Sequence, residues 1–143
     1  MKSAFPRLGV IERHRFKHLH NKMGGLTVVE VAREIAFPVA RVFFVTAAKA
    51  GMLRGCHAHH RCNQFQICVG GGVEAIFFDG ENSQSLMLGK GEGVLVPAGI
   101  WGEQRYLEVD SALLVLCDQP YVAEDYIEDR DAFIRMATSS RIG

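Results

Sequence analysis

The chain has 143 residues, 48% hydrophobic and 22% charged, with 16 basic residues balanced by 16 acidic ones. That length suits one domain with a substantial core, and a formal net charge of zero supplies no overall field to draw in nucleic acid or an anionic membrane. No apolar run approaches the roughly 20 residues that cross a bilayer as a helix, so any partner must be recognised by a local site.

Residues 1–143 are expected to form a single domain. Its first landmark is a basic stretch, residues 1–20 and just beyond, in which Arg13, His14, Arg15, Lys17, His18, His20 and Lys22 precede Gly24-Gly25. One reading is a solvated surface segment; the other is fixed positive charge that attracts a phosphate-bearing ligand. From Leu26 onward, short runs rich in β-branched and aromatic residues alternate with Gly, Pro, Asn and Asp. They predict strands over residues 26–30, 40–46, 63–69, 72–78, 84–88, 93–96, 100–106 and 112–117. Gly70-Gly71-Gly72 and Asp79-Gly80-Glu81-Asn82 have tight-turn chemistry and predict a hairpin each. Residues 123–136 read as the one late helix, with Ile127, Phe133, Ile134 and Met136 as apolar contacts, and 137–143 as a flexible tail. Many short strands with close turns give an all-β class, an antiparallel double-sheet jelly roll closed by a short C-terminal helix.

Four cysteines stand at 56, 62, 68 and 117 without a CxxC pair, and no signal-peptide pattern opens the chain. Reduced thiols and a cytoplasmic location are the expectation. Cys56 and Cys62 beside two histidines also raise a zinc site, against which the small number of ligands argues.

The chemistry concentrates in two frames, Gly51-x5-His57-x-His59-x4-Gln64-x6-Gly71 and Gly91-x5-Pro97-x-Gly99-x2-Gly102. Together they resemble the paired motifs of a cupin barrel. In a metal-binding cupin the resemblance would place a carboxylate at Gln64 and a third imidazole at Gly102. With both replaced, two imidazoles remain where a catalytic ion normally takes three protein ligands, so neither metal nor cofactor is expected.

On a strand, His57 and His59 face the same way while Ala58 and His60 face the other. Paired imidazoles looking into a barrel suit proton transfer, because histidine's ordinary pKa lies nearest neutrality; the plainer reading is two hydrogen-bonded histidines that only pack. Arg54, beside Gly55, is a candidate two-pronged ligand for a phosphate or carboxylate, or else a surface ion-pair partner. Arg105 is a weaker candidate for the same task. Trp101 either stacks on a sugar or base at the barrel mouth or is a core aromatic. Gln64 offers an amide that can orient an imidazole or bind a hydroxyl.

Beyond the barrel frame, residues 20–136 resemble the nucleotide-sugar ketoisomerases of the WxcM-like, FdtA-type family. The resemblance rests on Gly25-Leu26-x3-Glu30, Arg41-Val42-Phe43-Phe44, Arg54-Gly55-Cys56-His57-Ala58-His59-His60-x3-Gln64 and Tyr121-x3-Asp125-Tyr126-Ile127-x5-Phe133. It implies a metal-free dimer, with N-terminal strands exchanged in many members, that converts a dTDP-4-keto-6-deoxyhexose to its 3-keto isomer in deoxy- and amino-sugar biosynthesis for surface glycans or natural products. His57 and His59 would be the proton-transfer pair and Arg54 a substrate contact. The chain departs from the family pattern at Asn21, Met23, Phe43, Phe44, His60, Gly102, Glu128 and Arg130. Those departures leave open a UDP-linked keto amino sugar with a 2,3-shift, or a non-catalytic nucleotide-sugar binding module.

Overall fold

The computed structural model describes residues 4–142. In chain order its strands are β1 (Arg13–Arg15), β2 (Lys17–Asn21), β3 (Gly24–Val28), β4 (Arg41–Thr46), β5 (Leu53–His59), β6 (Gln64–Gly70), β7 (Gly72–Phe78), β8 (Ser83–Gly89), β9 (Glu92–Val96), β10 (Trp101–Tyr106), β11 (Ala112–Cys117) and β12 (Tyr126–Ile127). A one-turn helix α1 (Val31–Glu34) precedes β4, and α2 (Arg130–Ile142) follows β12. Two antiparallel five-stranded sheets, in the orders β1-β9-β6-β11-β4 and β12-β5-β10-β7-β8, face each other as a cupin jelly roll, and β2 pairs with β3 as a separate hairpin.

Alternation decides what each strand buries. Val73, Ala75 and Phe77 of β7 meet Cys68, Val94, Leu113 and Val115 between the sheets, as period-two patterning requires. The opposite face of the first sheet is covered by Phe16 and Ile35 packing on Phe65, Ile67 and Leu116. The outside of the second sheet is covered by α2, whose Phe133 and Ala137 are fully buried against Ala58, Trp101 and Ile127.

Three expectations are corrected. The late helix does not start at Ala123: a 3-10 turn (Ala123–Asp125) leads into β12, and the helix begins only at Arg130. Tyr126 and Ile127 pair with His59 and Ala58, and that sheet pairing overrides the local helical pattern. The expected tail is the continuation of α2 to Ile142, held by Ala137 and by Arg141, whose Nη2 donates to the Asp79 carbonyl at 2.7 Å; Gly143 lies outside the described residues. The glycine run 70–72 closes no hairpin, because β6 and β7 belong to different sheets; it turns the chain from one to the other, with Gly71 at φ 58° against Ser111. The second turn does close the β7–β8 hairpin, with Asp79 Oδ1 accepting from the amides of Glu81 and Asn82 at 2.9 and 2.8 Å.

Two strands emerge where a basic surface segment was read: β1 pairs with β9, and β2 forms an exposed hairpin with β3. Part of the charge is already partnered, since Arg15 and Arg13 meet Glu92 at 3.0 and 3.8 Å, and the His14 ring meets Glu34 at 3.0 Å. Among the described residues no helix is long and apolar enough to cross a membrane.

Candidate active site

A cavity of about 230 Å³ opens between the sheets, lined among others by Arg54, His57, Gln64, Gln66, Gln104 and Tyr126. A β-bulge on β5 assembles this wall. Gly102 of β10 pairs with His57, yet Glu103 pairs with Gly55, so Cys56 is the extra residue. Gly55 and Cys56 both adopt positive φ, 86° and 60°, as bulges permit. Cross-strand partners share a face, so the bulge brings Arg54, opposite Gln104, onto the same side as His57, opposite Gly102. Simple alternation would send Arg54 outward.

The histidines meet directly: His57 Nε2 lies 3.1 Å from His59 Nε2, with the rings edge-on at 4.8 Å. Behind them stands a residue to which sequence reasoning gave no role. Asp125 Oδ2 lies 2.9 Å from His59 Nδ1, and the same carboxylate accepts from the backbone amides of Arg61 and Cys62 at 2.7 and 3.2 Å. Burial works against its charge, but those two amides and the His59 ring together hold its carboxyl below the usual carboxylate range. The Asp125 carboxylate therefore accepts a hydrogen bond from His59 Nδ1–H, which leaves His59 Nε2 with a lone pair.

The remaining partners fix how many protons the pair wants. Gln64 Nε2 lies 3.2 Å from His59 Nε2 and donates to that lone pair. His57 Nδ1 lies 3.2 Å from the Gly55 carbonyl, which only accepts. His57 therefore satisfies both of its neighbours only when both its nitrogens carry hydrogen. Burial opposes that charge: it lowers the pKa of His57, and lowers that of His59 to about 4, with the neighbouring His57 charge as the second cause. At neutral pH the pair is uncharged and one proton short of a complete network, which is the state of a base.

Tyr126 covers the pair, its ring 4.9 Å from His57 and 4.4 Å from His59. Arg41 sits over the Phe43 and Tyr121 rings at 5.4 and 5.6 Å. The floor is amide: Gln66 donates to Gln64 Oε1 at 3.3 Å, and its own Oε1 is buried without a partner. A buried unpaired acceptor facing a cavity invites a hydroxyl donor. At the metal frame positions, Gln64 contributes an amide and Gly102 no side chain, so the ligand set of a metal-binding cupin is incomplete here.

The structure thus brings together His57, His59, Gln64 and Arg54, and adds Asp125, Tyr126, Gln66 and Gln104. Trp101 and Arg105 are corrected. On β10 they alternate with the inward Gly102 and Gln104, so both face away from the cavity. Trp101 is 3% exposed under α2, its ring 5.7 Å from Phe133, and Arg105 is engaged with Glu74 at 3.6 Å and the Gly51 carbonyl at 3.1 Å. His60, just beyond the end of β5, is exposed.

The chain is 30% identical over 119 residues, 82% of its length and 86% of the relative's, to the TDP-4-oxo-6-deoxy-α-D-glucose-3,4-oxoisomerase of Aneurinibacillus thermoaerophilus. Among solved structures it is similar to a 3,4-ketoisomerase from Helicobacter canadensis, at 30% identity and TM-score 0.81, covering 90% of this chain and 97% of the other. It is also similar to a His-to-Asn variant of the 3,4-ketoisomerase QdtA from Thermoanaerobacterium thermosaccharolyticum in complex with TDP-4-keto-6-deoxyglucose. That match has 27% identity and TM-score 0.84, covering 93% and 97% of the two chains. The family model FdtA (WxcM-like, C-terminal) matches residues 10–138, nearly the whole barrel together with the segment that carries Asp125, and the chain therefore belongs to the FdtA family.

Proposed function

We propose that this protein is a nucleotide-sugar ketoisomerase that converts a dTDP-4-keto-6-deoxyhexose to its 3-keto isomer by proton transfer. The observation that carries the reading is the Asp125–His59–His57 chain ending on the cavity, with His57 at the ligand side. The hydrogen on C3 is acidic because C4 is a carbonyl. The His57–His59 pair takes it up, and the C3–H electrons form the C3–C4 double bond of an enediol as the C4 oxygen gains a proton. Return of a proton to C4, with loss of the proton from the C3 hydroxyl, places the carbonyl at C3. The captured proton completes the network that the resting pair leaves one short, and Asp125 stabilises the charge while fixing the His59 tautomer. Gln66 and Gln104 are positioned to bind sugar oxygens, and Arg54 to meet the diphosphate or a sugar oxygen. No redox cofactor is required by this chemistry, since one carbon is oxidised as its neighbour is reduced.

The relatives support dTDP as the nucleotide, because the matched enzymes are described with TDP sugars. The test is solvent deuterium incorporation followed by NMR, with dTDP-4-keto-6-deoxyglucose and, separately, UDP-linked keto sugars. Deuterium at the former carbonyl carbon with a new 3-keto isomer is the expected result for dTDP. Exchange only with a UDP sugar transfers the assignment to the 2,3-shift, and binding without exchange identifies a non-catalytic module.

The reading includes a homodimer and a cytoplasmic setting. Strand β4 is a sheet edge whose outward Val42 and Phe44 are 52% and 74% exposed, and the β2–β3 hairpin exposes Leu19 and Leu26. Such an apolar edge calls for cover by a second copy; whether the copies exchange N-terminal strands is decided by that contact. The four free thiols suit a reducing compartment.

A further inference from the structure

Sequence reading raised Cys56 and Cys62 as a zinc pair and disfavoured it for too few ligands, and the fold separates the two. Cys56 packs towards Ala58, Trp101 and Phe133 on the outside of the second sheet. Cys62 instead joins two residues of the catalytic chain: the ligand-bearing atoms of His59, Cys62 and Asp125 all lie within 4.8 Å of one another. On this side His59 offers Nδ1, the nitrogen already 2.9 Å from Asp125 Oδ2. The cluster is therefore on the opposite edge of the His59 ring from the Nε2 that meets His57 and Gln64.

We propose that His59 Nδ1, Cys62 Sγ and Asp125 Oδ2 form an inhibitory site for a borderline-soft divalent cation of the Zn²⁺ type. Nitrogen, thiolate and carboxylate are the three donors zinc prefers, and three protein ligands with one open position match its open tetrahedral sites. Charge closes as well, because one thiolate and one carboxylate neutralise the ion. Arg41 Nη2, 4.0 Å from Cys62 Sγ, stands by the sulfur as an outer partner, while the neighbouring Cys117 and burial push the Cys62 thiol's pKa up, so the ion has to displace a firmly held proton. On the outer surface Asp125 also lines a hollow of about 180 Å³ with His60, Arg61 and Glu124, the side from which an ion would approach.

Occupation would act through a proton. A cation on Nδ1 displaces the hydrogen that Asp125 holds, and the neutral ring must then carry its hydrogen on Nε2. Proton balance is simple: binding releases the thiol proton of Cys62 to solvent and moves the imidazole proton from Nδ1 to Nε2. His59 then loses the lone pair that faces His57 and Gln64, and the relay stops without anything entering the sugar cavity. Inhibition is therefore non-competitive with substrate. Its inhibitory half rests on the ketoisomerase reading; the site itself does not.

The test uses Co²⁺ and Zn²⁺ on metal-stripped protein. With Co²⁺ we expect a near-ultraviolet thiolate charge-transfer band at one equivalent, absent in Cys62→Ala. With Zn²⁺ we expect turnover to fall about 100-fold or more, the scale of a lost acid–base group, at unchanged KM, while Cys62→Ala turns over normally and resists the metal. Nitrogen-15 NMR of the wild-type ring should show His59 passing to the Nε2–H tautomer, a readout that needs neither variant nor substrate. No charge-transfer band, a band that survives Cys62→Ala, or full turnover with the metal bound would each overturn the proposal. If no keto sugar is turned over at all, the cobalt band and the tautomer still decide the site.

Discussion

Asp125 and His59 stand 66 positions apart in the chain, and their side chains meet at 2.9 Å. The contact is made by β12, two residues long, which pairs Tyr126 with His59 and so sets the preceding carboxylate behind the imidazole. Replacing Asp125 with Asn should lower kcat by about 100-fold, towards the lower end of what acid–base groups supply, with a smaller change in KM. Loss of the charge should also lower the His59 pKa further, a shift visible by NMR titration that a merely structural role would not produce.

His57→Asn and His59→Asn keep a polar side chain but cannot carry a proton. Each is expected to cost about 100- to 10,000-fold in turnover while circular dichroism stays that of the parent. Near wild-type deuterium exchange in both variants would remove the proposed roles.

The pH dependence has a definite sign. His59 titrates at about 4 in the fold against an ordinary value of about 6.5 in the unfolded chain, so between these values the unfolded chain binds more protons. Stability should therefore rise with pH from about 4 to 6.5, by at most about 3 kcal/mol from this residue. Below that window Asp125, whose pKa is depressed, acts in the same direction, its contribution being lost as the pH falls. Urea unfolding at pH 5 and pH 7 measures the difference, and His59→Asn should flatten it. Activity should likewise fall in acid solution, at a pH below histidine's ordinary range because burial lowers the pKa of both rings.

Gly55→Ala should do damage out of proportion to one methyl. At φ 86° a side chain is strained, and its Cβ would lie 2.6 Å from Gln104 Oε1. A cost of about 1–3 kcal/mol is expected for the backbone alone, and relief by flattening the bulge would turn Arg54 away from the cavity. A lower melting temperature together with a raised KM checks both effects.

Phe44→Asp tests the assembly. The residue is 74% exposed on the outer face of β4, so a monomer should tolerate the change within about 0.5 kcal/mol. A dimer built on that edge should dissociate, as light scattering would show.

Strand rhythm made most of the barrel legible, because half-buried strands impose alternation on the chain itself: β4, β6, β7, β10 and β11 fall within a residue of where the pattern puts them. The paired histidines were legible from their motif frame instead, since the strand pattern left residues 53–59, where β5 lies, unassigned. What the pattern missed depends on contacts distant in sequence. β12 is too short to show a period, and its pairing with β5 is what turns a helix-like stretch into strand. Trp101 and Arg105 were misplaced because motif position gave the strand but not its face; had parity been counted from the inward Gly102, both would have pointed out. Asp125 was within reach, as an acidic residue inside the motif that carried the family resemblance. Its partner was not, since nothing local to residue 125 names residue 59.

That dependence on β12 has a consequence for how the protein is made. Both histidines, the amide floor and, Tyr126 apart, the residues named on the cavity wall come from before 118, so a nascent chain can close most of the barrel with its proton-transfer pair already inside. It has no counter-charge until Asp125 leaves the ribosome and is held there by the amides of Arg61 and Cys62 and by the pairing of β12 with β5. The proton-transfer pair therefore gains its counter-charge from a segment made after the barrel strands, and a chain cut short before Asp125 would hold both histidines without the carboxylate that fixes their tautomer.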